Sequence, residues 1–136
     1  DIAGSIKTSG HRQIRIDRAR YAAHRLAFLW VLGRWPKEEV DHINGLKDDN
    51  RWSNLREATR QQNMRNRPMS SANTSGFKGV YWDRASSKWA AAIGVNSTPK
   101  YIGAFESKLD AAKAYDKAAS ELFGEYAKTN QSMGLL

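Results

Sequence analysis

The chain contains no cysteine. That absence excludes a disulfide framework and any thiolate zinc finger, and it fits a reducing compartment. Long apolar runs are missing as well. The longest, Leu26 to Leu32, falls far short of the roughly 18 residues that a membrane span needs. No N-terminal stretch reads as a secretory signal, and the chain opens on Asp1 instead of Met, so residues before it are expected. Negative charge is scarce: 14 Asp and Glu face 22 Lys and Arg, for a net charge of +8 and a pI near 9.9. The 136 residues suffice for one compact domain or two small ones, and not for a large enzyme scaffold. A positive excess of this size in so short a chain points to a polyanionic partner.

The charge is unevenly placed. Residues 1–70 hold 14 Lys and Arg against 8 Asp and Glu, and 11 of the 14 are Arg. Residues 71–136 hold 8 against 6, with Arg84 the only Arg. The change falls in Asn66 to Gly76, a stretch rich in turn formers with almost no apolar content. It reads as a linker between two modules; a long surface loop within one domain is the alternative.

Periodicity gives a coarse map. The alternation over residues 11–17 predicts a short strand, and Tyr21 to Leu32, closed by Gly33 and followed by Pro36, predicts a buried helix. Val40 to Ile43 predicts a strand running into the Asn44-Gly45 turn. Thr59 and Gln62 have capping-box spacing, which predicts a helix from about Arg60 to Arg67. Lys78 to Asp83, Lys88 to Val95 and Lys100 to Phe105 predict a three-stranded antiparallel meander. Ser107 opens an Ala-rich helical stretch closed by Gly124, with Leu109, Ala112, Tyr115 (or Ala118), Ala119 and Leu122 assigned to the packed face.

One constellation carries chemistry. Val40 to Gly45, Asp48 to Arg56 and Ala58 to Asn63 place an imidazole, a carboxylate and carboxamides within a strand–loop–helix unit. Phosphodiester hydrolysis needs a base for water and a hard cation for the developing charge. A His neutral near pH 7 suits the first task. Oxygen donors from Asp and Asn suit Mg²⁺ or Mn²⁺, with waters and phosphate oxygens completing the shell. Adjacent strand residues point to opposite faces, so Asp41 and His42 reach one phosphate only where the strand ends or bulges. His11 and His24 read as packed residues, and Asp48 and Asp49 as a solvated turn.

Asp41-His42-Ile43-Asn44-Gly45, Asp49-Asn50-Arg51, Asn54-Leu55-Arg56 and Asn63, preceded by His24 to Phe28 and by Trp35-Pro36, resemble the HNH endonucleases of phages and mobile introns. The resemblance covers about residues 11 to 67. It implies a ββα-metal fold, with two antiparallel strands and a helix around one divalent cation, Mg²⁺ or Mn²⁺. It implies that His42 is the general base, that Asn54 pins the loop orienting it, and that Asp41 and Asn63 hold the metal.

Ser75 to Trp82, Lys88 to Ile93, Tyr101 to Phe105 and Ala111 to Ala119 resemble a second family, the Apetala-type DNA-binding domain of plant ethylene-response factors. Coverage is about residues 74 to 130. The resemblance implies a three-stranded sheet laid in the major groove with the helix behind it. Lys78 joins Tyr81 on the outer face if a bulge intervenes, and Lys88, Tyr101 and the turn residue Arg84 complete the expected DNA face. Tyr81, Asp83, Ala92 and Gly94 stand where the plant pattern carries charge, so the plant recognition sequence does not transfer, and weak phosphate-dominated binding is expected.

The combined reading is an α+β protein: an HNH module over residues 1–67, a linker over 68–75, an Apetala-type domain over 76–130 and a tail over 131–136. Arg56 and Arg60 border the expected metal helix and join the DNA-contact set. The resemblance implies a metal-dependent endonuclease of nicking or homing type acting on double-stranded DNA in the cytoplasm of a phage-infected or bacterial cell, with no membrane partner, as a monomer or a homodimer. A DNA-binding regulator with an inert HNH module is the alternative, and an RNA-binding accessory protein is a third reading resting on net charge alone.

Overall fold

A computed structural model describes residues 3–136, and the chain divides into two compact units between Met64 and Arg65. In the first unit, β1 (Ser5–Ile6), β2 (Arg12–Ile16) and β3 (Ala19–Ala22) form an antiparallel sheet in that order. The alternating run gives β2, as expected. The short strand β3 lies where the sequence suggests the start of a helix. It joins β2 through Asp17 and Arg18, whose φ values of 45° and 68° make the mirror-image turn that suits strand twist.

Helix α1 (Ala23–Leu32) stops at Gly33, whose left-handed φ of 69° lets its N–H bond to the Leu29 carbonyl at 3.0 Å. The expectation of a buried helix from Tyr21 is corrected on two counts. The helix begins at Ala23, and only Ala23 and Phe28 are buried, with Trp30 90 % exposed. A run that is apolar all round carries no stripe from which to read its inner face. The face that does pack brings Phe28 against Val40 and Leu55.

Those two residues belong to β4 (Glu39–His42) and β5 (Leu55–Ala58), an antiparallel ribbon pairing Val40 with Glu57, Asp41 with Arg56 and His42 with Leu55. Alternation therefore places Val40, His42 and Leu55 on one face of the ribbon, and Glu39, Asp41 and Arg56 on the other. Helix α2 (Arg60–Arg65) follows, shorter than the expected span to Arg67. Its start is a reciprocal capping box: Gln62 N–H donates to Thr59 Oγ1 at 3.1 Å, and Thr59 N–H donates to Gln62 Oε1 at 2.8 Å.

The second unit holds β6 (Val80–Asp83), β7 (Lys88–Val95) and β8 (Thr98–Phe105) as an antiparallel sheet, followed by α3 (Lys108–Phe123). The first strand starts at Val80 instead of Lys78, and the third at Thr98 instead of Lys100. A two-residue turn at Asn96-Ser97, with φ values of 50° and 62°, is tighter than the four-residue break in the sequence suggests. Ser107 caps α3 by accepting from the Leu109 N–H at 3.1 Å. The buried face of α3 is Ala111, Ala112, Tyr115, Asp116 and Ala119; Leu109 and Leu122 are exposed, contrary to expectation. Small alanines let the helix lie close on Val80, Ala91 and Ile93, and that proximity sets the helix rotation.

Residues expected as a linker are hydrogen-bonded among themselves. Asn73 Oδ1 accepts from the Ser75 and Gly76 N–H groups, and its Nδ2 donates to the Phe77 carbonyl at 2.8 Å. At the far end Asp116 accepts from the Asn130 backbone at 2.7 Å and from Gln131 at 2.9 Å. The fully buried Asn130 in turn accepts from the Lys78 N–H at 2.6 Å, tying residues 130–131 to the entrance of the sheet.

Candidate active site

Strand β4 ends at His42, whose carbonyl accepts from the Gly45 N–H at 2.8 Å. An ending there is what alternation demands if Asp41 and His42 are to serve one phosphate. The loop from residue 43 to 54 is held by the buried Asn54. Its Oδ1 accepts from the Asn44 N–H at 2.9 Å, and its Nδ2 donates to Asn44 Oδ1 at 2.9 Å and to the Asp49 carbonyl at 2.8 Å. A carboxamide offers one acceptor and two donors, and here it spends all three on the loop.

His42 is buried, and its Nε2 lies 2.9 Å from Asn50 Oδ1. An amide oxygen only accepts, so this contact is a hydrogen bond in the tautomer that carries its proton on Nε2. Asn50 is a site residue that sequence reasoning missed. Its place in the Asp49-Asn50-Arg51 motif was visible, but nothing in the spacing says which ring nitrogen an amide eight positions away will meet.

Two further imidazoles stand beside His42. His24 on α1 has its ring centroid 5.3 Å from that of His42 in an edge-to-face arrangement, and His11 lies 5.1 Å from His24 and 5.7 Å from His42. Burial first, then the neighbouring His42, His11 and Arg25, lower the His24 pKa from 6.5 to about 4. Burial, followed by Lys47, His42 and Lys7, lowers that of His11. His24 is packed, as expected, and its buried Nδ1 has no hydrogen-bond partner.

On the opposite face of the ribbon, the Asp41 carboxylate is 3 % exposed and receives the Arg56 guanidinium at 2.7 and 2.8 Å. Asn63, from α2, donates its Nδ2 to Glu39 Oε2 at 2.6 Å. Glu39 and Asp41 are two apart on β4 and share a face, so Asn63 stands on the Asp41 side of the strand. A carboxylate and an amide on one face are hard oxygen donors, a donor set that fits a cation keeping several waters. Among the described residues no three His, Cys, Asp or Glu side chains form a metal cage.

Asp48 is an exposed turn residue, as expected, whereas Asp49 is half-buried, and both are ion-paired. Asp48 pairs with Arg12 of β2 at 2.7 Å, and Asp49 takes Arg51 at 2.6 and 2.8 Å together with Asn44 Nδ2 at 2.7 Å. The Arg51 guanidinium, aided by Asn44, holds the Asp49 carboxyl well below the usual carboxylate range. Both aspartates thus brace the loop carrying Asn50 and Asn54. Arg60 is exposed at the start of α2.

In the second unit, Tyr81 pairs with Ala90, Asp83 with Lys88 and Tyr101 with Ala92, so Tyr81, Lys88 and Tyr101 share the outer sheet face. Tyr81 and Tyr101 are exposed; Lys88 reaches Glu106 at 3.1 Å, and Arg84 sits exposed in the β6–β7 turn. Lys78 departs from the expected face. It precedes β6, and its Nζ donates to the carbonyls of Arg65 and Arg67 at 3.2 and 2.8 Å, where burial lowers its pKa to about 8. The register irregularity lies between Ala91 and Ala92, away from Lys78. Trp82 and Trp89 meet edge to face at 5.1 Å.

No solved structure matches the chain. The chain is 32% identical over 120 residues to a protein of Acanthamoeba polyphaga mimivirus described as an uncharacterized HNH endonuclease; the match takes in 87% of this chain and 62% of that relative's length. The family model for HNH endonucleases matches residues 21–65, the stretch running from β3 through α1 and the β4–β5 ribbon to the end of α2.

Proposed function

We propose that the first unit is a ββα-metal nuclease head that hydrolyses phosphodiester bonds in double-stranded DNA, as a nicking or homing-type endonuclease, and that the second unit is its sheet-based DNA-targeting module of Apetala type. The observation that carries this reading is that β4 ends at the buried His42, one residue after the buried Asp41, against a loop locked by Asn54. The match to HNH endonucleases over the same residues supports it.

In this reading His42 Nδ1 takes a proton from water as the water oxygen bonds to phosphorus and the bond from phosphorus to the leaving sugar oxygen breaks. Asn50 fixes the tautomer that leaves Nδ1 basic. Asn54 acts by holding the loop and with it the direction of the ring. Asp41 and Asn63 would hold one divalent cation, Mg²⁺ or Mn²⁺, which would supply stabilisation of the charge developing on the phosphoryl and leaving oxygens. Arg56 and Arg60 lie along the same ribbon and helix, where a phosphate backbone would meet them. The outer face of the second sheet offers Tyr81, Tyr101 and Lys88, with Arg84 at its turn, and small alanines between. Few cations on that face imply weak binding, and linkage raises the local concentration of each unit once the other is bound.

The test is conversion of supercoiled plasmid in Mg²⁺ or Mn²⁺, with and without chelator, by the native chain and by His42→Ala. Loss of a positioned general base is expected to slow nicking by about 10²–10⁴-fold. If the native chain nicks nothing while retaining DNA, the head is an inert binding module; equal cutting by His42→Ala removes the general-base assignment.

A further inference from the structure

Asn63 and Asp41 belong to the ligand pair of the proposed site, yet the shortest polar contact of Asn63 is to neither a cation nor Asp41. It is the 2.6 Å bond from Nδ2 to Glu39 Oε2, a side chain that neither the family match nor the sequence reading assigns. We propose that Glu39 is a positioning residue for the cation site: its carboxylate selects the flip state of the Asn63 amide and presents the Asn63 carbonyl oxygen for coordination.

The two ends of a carboxamide are nearly the same size, but only the oxygen has a lone pair to give a cation, while the nitrogen only donates. An Asn ligand is therefore half wrong by default, with two flip states of nearly equal steric cost. A carboxylate at the back of the amide breaks that degeneracy. With nitrogen toward Glu39 there is a charge-assisted hydrogen bond; with oxygen toward Glu39 two acceptors face each other. The surviving state turns Oδ1 away from Glu39. Alternation along β4 puts Glu39 and Asp41 on one face of the ribbon, so this happens on the side where the Asp41 carboxylate stands. A carboxylate accepting from the amide nitrogen also pushes electron density toward the carbonyl oxygen, as outer-shell carboxylates do for ligating side chains. The partner strand opposes Glu39 with Ala58, which places no competing donor at that register position.

This inference rests on the proposed cation site, and its test separates the two. The full chain is titrated with Mn²⁺ alone, and binding is read from the loss of the free-ion paramagnetic resonance signal. Glu39→Met keeps the length and removes the acceptor; Glu39→Gln keeps an acceptor without the charge. The acceptor-free variant is expected to bind Mn²⁺ about tenfold more weakly or worse, and Glu39→Gln to stay within about threefold of native. In an Asn63→Asp background both ends of residue 63 are oxygen and no flip exists, so adding Glu39→Met causes no further loss. In the metal-free protein, the Asn63 side-chain amide protons are expected to lie downfield and exchange slowly in the native chain and in Glu39→Gln, and to lose both signatures in Glu39→Met. Native affinity in Glu39→Met overturns the proposal. So does an equal loss in the Asn63→Asp background, which would make Glu39 act directly on the cation. If the native chain leaves the Mn²⁺ signal as Asp41→Ala does, the cation site itself falls, and this role for Glu39 with it.

Discussion

His24 shows how a residue can be read correctly and still be underestimated. Its place on an apolar stretch suggests a packed histidine, and packed it is. The sequence has no means of revealing that the segment entering β2, helix α1 and strand β4 bring His11, His24 and His42 into one cluster, because the three lie on separate segments with no common period. The cluster has a thermodynamic consequence. The folded pKa of His24, about 4, lies below its unfolded value of 6.5, so the unfolded chain takes up a proton more readily in that window. Stability associated with the neutral ring is complete above the unfolded value and is lost as pH falls toward the folded one. Denaturant unfolding of the native chain is expected to lose about 1–2 kcal/mol between about pH 7.5 and pH 5 beyond the loss in His24→Leu, after discounting for partial exposure. An identical pH dependence in the two proteins would show that His24 does not report on folding.

Elements with a chemical stop or start signal were the legible ones. Gly33 and Gly124 end α1 and α3, and the Thr59–Gln62 box opens α2, all where the sequence suggests. Elements whose identity depends on a partner were not. Strand β5, Leu-Arg-Glu-Ala, carries no strand pattern of its own and exists because it pairs with β4, and the short β3 exists because it pairs with β2. The β2–β3 hairpin also holds strain at its tip. Arg18 sits at φ 68°, and Arg15 faces Arg20 directly across the strands. Left-handed backbone costs a non-glycine residue about 1 kcal/mol, and facing like charges add to it. Arg18→Gly is expected to raise folding stability by up to about 1 kcal/mol in urea unfolding, less the entropy that glycine adds to the unfolded chain. A destabilised Arg18→Gly chain would mean that the arginine makes stabilising contacts of its own.

At the scale of the whole molecule, charge and core are distributed differently. The half with the Arg excess packs its ribbon on little more than Phe28, Val40 and Leu55 and is braced by ion pairs such as Arg12–Asp48 and Arg34–Glu57. The other half has the larger apolar core and only a small charge excess. The division of labour proposed for them predicts separable effects in the intact chain. Replacing Tyr81, Lys88 and Tyr101 together by Ala is expected to lower preference for a target site over bulk DNA by about tenfold or more, while the rate of nicking on saturating plasmid changes little. Unchanged preference would remove the targeting role from the second sheet.

The Asn44-Gly45 turn has one more consequence, which concerns the ageing of the protein. Asparagine followed by glycine is the pair most prone to lose its side-chain ammonia, because the glycine nitrogen can swing round and close a five-membered imide on the asparagine. Here the Gly45 nitrogen is occupied by the His42 carbonyl, and the Asn44 amide is held at one end by Asp49 and at the other by Leu46 and Asn54. The bonds that set the loop beside His42 therefore also shield its weakest covalent point. Once those bonds open, the first irreversible damage to the molecule falls at Asn44, two residues from the base on which its chemistry is proposed to depend.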